Sequence, residues 1–180
     1  MRCASTCSSL ILCLAAIAPA CGEVKQSTAD NFVIVHSVQV KAAPAKAYAA
    51  IAEPNRWWNG QHSYSGNAAN FTLKAEAGAC FCERWNGSSV EHGVVIMALQ
   101  DRLLRLRAPL GPLQGRGLNA VLTFEVKPRD DGAAIELTYV VNGSSASALD
   151  KSAPAVDGVL GEALARLGRY IDTGKPDSGS

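Results

Sequence analysis

The chain predicts an α+β domain, and three observations carry that prediction. An early run rich in β-branched residues, Phe32 to Val40, reads as a strand. About six further strand-length segments follow from residue 70 onward, separated by turn residues and uninterrupted by helices. The C-terminal part then places Val156, Val159, Leu160, Ala163, Leu164, Leu167, Tyr170 and Ile171 at spacings of three and four, one broad apolar face on a long helix. Strands in succession and then a helix, without strand-helix alternation, argue against a parallel sheet.

Each element has a local cause. Ala43-Pro44 breaks the first strand, and Pro44 suits a first helical turn, where its missing N–H has no intrahelical partner anyway. Ala45 to Glu53 has helical composition, with Tyr48, Ala49, Ile51 and Ala52 forming a stripe; Pro54 stops it, and Trp57-Trp58 follow at once. Asn59-Gly60 and Ser65-Gly66-Asn67 mark a polar loop carrying His62 and Tyr64. Asn70 to Ala75 reads as a strand in which Phe71 and Leu73 alternate with Thr72 and Lys74. Gly78 turns the chain into a strand over Ala79 to Trp85, Asn86-Gly87 favours a tight hairpin, and Ser89 to Leu99 returns. In Arg102 to Arg107, Arg105 and Arg107 share a face opposite Leu104 and Leu106. A Gly/Pro loop over Pro109 to Gly117 leads to the last strands, Leu118 to Lys127 and Ala133 to Val141. Asn142 to Ser147 is a small-residue linker to the helix.

The opening strand, the proline-led helix and Trp57-Trp58 resemble the START-like superfamily of helix-grip proteins, and the order of elements resembles it over most of residues 32–173. Within that superfamily, Trp57-Trp58, Gly78 before an aromatic strand, and the hairpin into Arg102-Leu103-Leu104 are most similar to the Hsp90-ATPase-activator-like branch; polyketide cyclases and dehydrases are further relatives. The resemblance implies a curved antiparallel sheet wrapped around the long C-terminal helix, with a cavity between them.

At 180 residues, 48% hydrophobic and 18% charged, the chain suits one globular domain. A formal charge of +1 without a basic block or acidic tail argues against nucleic acid and against an electrostatic membrane surface as partners. Arg2, the short apolar run Leu10 to Ala18, and Ala18-Pro19-Ala20 read as a secretory signal peptide, the run being too short to span a bilayer. The alternatives are an N-terminal anchor, a mis-assigned start, or a lipoprotein signal with Cys21 as the lipidated residue. The last would bring a membrane into contact, but the usual Leu three positions before the Cys is missing. The division is therefore a signal peptide over 1–20, an N-terminal linker over 21–31, one domain over 32–173 and a flexible tail over 174–180, in an exported, periplasmic or secreted protein. Removing residues 1–20 takes Arg2 and no acid, leaving 16 basic against 16 acidic residues. It also leaves Cys21, Cys80 and Cys82. Cys80 and Cys82 can pair with each other, though a bridge between positions i and i+2 of one strand requires awkward geometry.

Candidate functional residues are few. Adjacent tryptophans point different ways, so one of Trp57 and Trp58 can plug the core while the other lines a cavity mouth; packing by both is the equal alternative. The hairpin places Glu83 about opposite Val90, within one residue of Glu91 or His92, and Glu83 with His92 forms the candidate acid/base pair. A solvated cross-strand pair on the outer face is the commoner arrangement for such residues. Cys80, Cys82 and a nearby His could bind zinc, but the spacing is not a zinc-finger spacing, and no metal or cofactor is expected. Arg105 could meet an anionic group, although alternating Arg and Leu usually marks a solvent face. The Gly111 to Gly117 loop precedes a strand, so it lacks the helix N-terminus a phosphate loop needs.

Two functions of different class follow, with a third behind them. The first is a binding protein for a hydrophobic small molecule, with Trp57, Trp58, His62, Tyr64, Phe81, Met97 and Arg105 around the ligand. The second, implied by the resemblance, is a cyclase/dehydrase-like enzyme using Glu83 and His92. An interaction module like the Hsp90 activators is weakened by export, since that partner is intracellular.

Overall fold

The computed structural model describes residues 21–177; the expected signal peptide and the end of the expected tail lie outside the described residues. Strands β1 (Cys21–Ser27), β2 (Asn31–Val40), β3 (Phe71–Thr72), β4 (Cys80–Trp85), β5 (Ser88–Leu99), β6 (Leu103–Arg107), β7 (Asn119–Arg129) and β8 (Gly132–Asn142) form one curved sheet. Their order is β1-β2-β8-β7-β6-β5-β4-β3, and every neighbouring pair is antiparallel. Three α-helices, α1 (Pro44–Ile51), α2 (Pro54–Trp57) and α3 (Leu149–Thr173), accompany it. No helix among the described residues is long and apolar enough to cross a membrane.

Alternation along the strands gives the sheet one apolar face. Phe32, Ile34 and Val40 of β2, Leu104 and Leu106 of β6, Leu122 and Phe124 of β7, and Ile135, Leu137 and Tyr139 of β8 are all buried. Across that face lies α3, whose 25 residues reach about 37 Å at 1.5 Å per residue. It buries Leu160, Ala163, Leu164, Leu167 and Ile171, the face its periodicity predicts; each large aliphatic side chain among them contributes about 2 kcal/mol. The helix lies close to β2 because two of its contact positions are glycine. A Cβ on Gly161 would sit 2.8 Å from His36 Cε1, and one on Gly168 would sit 2.7 Å from Val38 Cγ2. His36 itself is buried beneath α3, with Nε2 2.9 Å from Asp157 Oδ1. Arg166 Nε ties the same helix to α2 by donating to Trp57 O at 2.8 Å.

The structure corrects three boundaries. Residues 21–27, expected as linker, pair with β2 from Cys21↔Ser37 to Ser27↔Phe32. Among the described side chains of this strand only Val24 packs against the core, so β1 shows no apolar alternation to betray it. The strand expected over Asn70 to Ala75 shrinks to Phe71–Thr72, because a 3-10 turn over Ala68–Asn70, capped by the Asn67 side chain, occupies its start. The tail does not begin at Gly174. Arg169 Nε donates to Pro176 O at 2.6 Å and Arg166 Nη1 lies 2.5 Å from Asp177 Oδ1, so residues 174–177 fold back on α3.

Candidate ligand cavity and acid/base pair

A cavity of about 490 Å³ lies beside the N-terminal half of α3. Ala155, Val156, Val159 and Leu160 of α3 form one wall, and Leu110, Pro112 and Leu113 of the turn after β6 form another. Trp58 and the loop residues Gln61 to Tyr64 close the third side, with His92 among the lining. A second depression of about 520 Å³ lies between α1 and the end of α3. Three of its polar side chains already serve the fold: the Tyr170 hydroxyl donates to Glu53 at 2.6 Å, and the Asp172 carboxylate accepts from the Lys41 N–H at 2.9 Å. The first cavity is the one that meets chemistry.

That chemistry is built from the β4–β5 hairpin. Glu83 pairs with Val90, as the Asn86-Gly87 turn predicts. Between Phe81↔Gly93 and Cys82↔Glu91 the register shifts, and His92 is the extra residue on β5. Such a bulge re-aims a side chain, and here His92 points inward beside Glu83. Both are buried, Glu83 with no exposed surface at all, which corrects the solvated outer-face arrangement. His92 Nε2 is 2.9 Å from Glu83 Oε2. The same carboxylate accepts the Tyr64 N–H at 3.1 Å and the Ser65 N–H at 2.6 Å. Glu83 therefore also holds the loop that lines the cavity.

Electrostatics follow from these contacts. Burial pushes the Glu83 carboxyl up, but the hydrogen bonds from Ser65, His92 and Tyr64 outweigh it and hold the group below its ordinary value. Burial likewise pushes His92 down, only partly offset by the hydrogen bond and charge of Glu83. A carboxylate only accepts, so Nε2 of a neutral His92 carries the proton and Nδ1 carries the lone pair. Phe71, Phe81 and Tyr64 surround the imidazole at ring-centroid distances of 4.9, 5.3 and 5.8 Å. The arrangement offers one hydrogen-bond acceptor, and potential base, in an apolar surround.

The other candidates divide. Trp58 lines the cavity and donates Nε1–H to His62 O at 3.0 Å. Trp57 does not; it packs edge-on to Phe124 and donates to Ala50 O at 2.9 Å. His62 sits at the rim, Nε2 3.0 Å from Glu162 Oε2. Tyr64 spans the cavity mouth, its hydroxyl donating to Gly111 O at 3.0 Å. Phe81 packs against Trp58 and Phe71, away from the cavity lining. Met97 and Arg105, expected around the ligand, lie outside the cavity. They face each other across β5 and β6 on the outer side, where Arg105 Nε donates to Thr123 Oγ1 at 3.0 Å. Leu104 and Leu106 hold the inner positions of β6, and a second register shift, between Val95 and Met97, leaves Met97 opposite Arg105.

Several lining residues carry no signal in the sequence. The Gly/Pro loop folds as a 3-10 helix over Gly111–Arg116 and covers the cavity. It is fixed by Arg116, which donates to Ser152 Oγ at 2.9 Å and to Ser147 O, and by Gln114, which donates to Glu91 O. Beneath it the buried Tyr139 hydroxyl donates to Ala108 O at 2.8 Å and accepts the Leu110 N–H at 3.1 Å; burial raises that phenol far above its ordinary value. Cys80 and Cys82 form a disulfide with Cα atoms 5.3 Å apart, inside the ordinary range. Their sulfurs bind each other rather than zinc.

No family model matches the chain, and no curated protein matches it. Solved structures do. A protein of unknown function from Staphylococcus aureus superposes with a TM-score of 0.58 at 12% identity, over 81% of this chain and 96% of that one. CalU16 from Micromonospora echinospora gives 0.57 at 18% identity, over 88% and 85%. The Aha1 dimer from Colwellia psychrerythraea gives 0.53 at 18% identity, over 79% and 98%. At these identities the likeness is one of fold, and with the sheet and α3 it makes this chain a helix-grip α+β protein.

Proposed function

We propose that the protein binds a small, largely apolar molecule in the cavity between α3 and the sheet, with His92 accepting a hydrogen bond from the ligand's polar group. The observation that carries this is His92 itself: it lines an apolar cavity while its Nε2 is committed to a fully buried carboxylate. A pocket of this size with one oriented polar group is what small-molecule sites require. Export by residues 1–20 belongs to the same proposal, and the N-terminal mass of protein recovered outside the cytoplasm tests it.

The binding test uses N-phenyl-1-naphthylamine, an apolar fluorophore with one N–H. Its emission should rise on mixing with the protein, and Val159→Trp, which fills the cavity, should weaken binding by about tenfold or more, a loss of about 1.4 kcal/mol. Unchanged affinity in that variant would place the probe elsewhere and sink the proposal.

The same pair favours a second reading, acid/base catalysis of the cyclase/dehydrase kind. A neutral imidazole backed by a carboxylate is a general base. Deuterium exchange alpha to the carbonyl of small enolisable ketones, followed by NMR, would show it if His92→Gln abolished the exchange.

A further inference from the structure

We propose that the Cys80–Cys82 disulfide is an exchange site for a dithiol reductant, with Cys80 the sulfur that is attacked. Three observations converge on it. The bridge encloses a single residue, Phe81, and a loop that short restrains the unfolded chain very little. β4 is already held on both sides, by β3 through Phe71↔Glu83 and Thr72↔Cys82 and by β5, so the cross-link adds little to the fold. The two sulfurs also differ in access. Cys82 is 5% exposed, whereas Cys80 is half-buried and lines a groove of about 460 Å³ with Ala52, Asn55, Leu73 and Lys74. This groove shares no lining residue with the ligand cavity. Lys74 sets a positive charge in the groove, which favours an approaching thiolate.

The exchange balances in two steps. One thiolate of the dithiol forms a bond to Cys80 Sγ; the Cys80–Cys82 bond breaks, and its electron pair leaves with Cys82 Sγ, which takes up a proton. The second thiolate of the reductant then attacks its own mixed-disulfide sulfur and expels Cys80 as a thiolate, which takes up the second proton. The dithiol is oxidised to a cyclic disulfide and the protein gains two thiols.

The test is made on the full chain without denaturant. Dithiothreitol is added, the reaction is quenched with iodoacetamide, and each cysteine is read by peptide mass spectrometry while circular dichroism follows the fold. Cys80 and Cys82 should become alkylated together with the dichroism unchanged, at a rate proportional to dithiothreitol. With oxidised glutathione added to the reduced protein, the adduct within this pair should map to Cys80. Opening only after urea unfolds the chain would overturn the proposal, and an adduct on Cys82 would overturn the assignment of the attacked sulfur. Cys82→Ser and Cys80→Ser, each made in a chain whose Cys3, Cys7, Cys13 and Cys21 are also replaced by Ser, give an independent check. The single thiol at Cys80 should react with an aromatic disulfide reagent at least about tenfold faster than the one at Cys82, and equal rates would refute the asymmetry.

Discussion

A carboxylate with no exposed surface persists in a core only where its oxygens are fully hydrogen-bonded. Glu83 satisfies this with two backbone N–H groups and an imidazole. Glu83→Gln puts an amide donor against a donor, Ser65 N–H or Tyr64 N–H, so it should destabilise the protein by about 3 kcal/mol in urea titration. It should also lower the His92 pKa further, since the carboxylate is what opposes burial there; proton NMR of the imidazole would show it. The register of this pair was legible, because Asn86-Gly87 sets Glu83 opposite Val90. Its burial was not. The donors come from a loop nearly twenty positions away in the chain, and the bulge that turns His92 inward is marked only by Gly93 beside it, where the backbone passes against Ala108. Met97 was lost to the same cause: one unmarked extra residue reverses strand parity.

Helix α3 lets propensity and packing be separated within one element. Its apolar face was plain in the sequence, because spacings of three and four need no tertiary information. The reason for its glycines was not, since that depends on His36 and Val38 across the interface. A Cβ on Gly158 would meet nothing within 4 Å, so Gly158→Ala should stabilise by about 0.5–1 kcal/mol. Gly161→Ala and Gly168→Ala carry the same helix-propensity gain. They drive a methyl into an imidazole and a β-branched side chain, and should come out destabilising by about 1–3 kcal/mol. Thermal melts of the three variants would show opposite signs along one helix. Strand β1 was illegible for the converse reason: among its described side chains a single packed valine leaves no period to read.

For the whole molecule, acid stability follows from the two buried groups. His92 is held below its ordinary value, so below about pH 6.5 the unfolded chain binds a proton that the folded chain refuses. Stability is thus fully present above that pH and declines as the pH falls. Glu83, also depressed, adds a second loss once the pH drops below about 4.3, where an unfolded glutamate protonates. Urea midpoints should therefore fall between pH 8 and pH 5, and His92→Gln should flatten that segment. An unchanged slope in the variant would assign the loss to other groups. The global order of elements was legible because turn residues punctuate nearly every strand; the cavity, assembled from a loop, a turn and a helix distant in sequence, was not.

Strand β1 has one more consequence, for solubility. It is the outermost strand on its side, and it occupies the backbone edge of β2, which carries Phe32 and Ile34 into the core. Without Cys21–Ser27 that edge would present unpaired N–H and C=O groups along most of β2, a template for edge-to-edge growth between copies. Strand β1 has an outer edge of its own, but the register shift between Val24 and Gln26 and the charged Glu23 and Lys25 make it a poor template, so the heptapeptide acts as a selvedge that keeps the sheet from being continued by its neighbour.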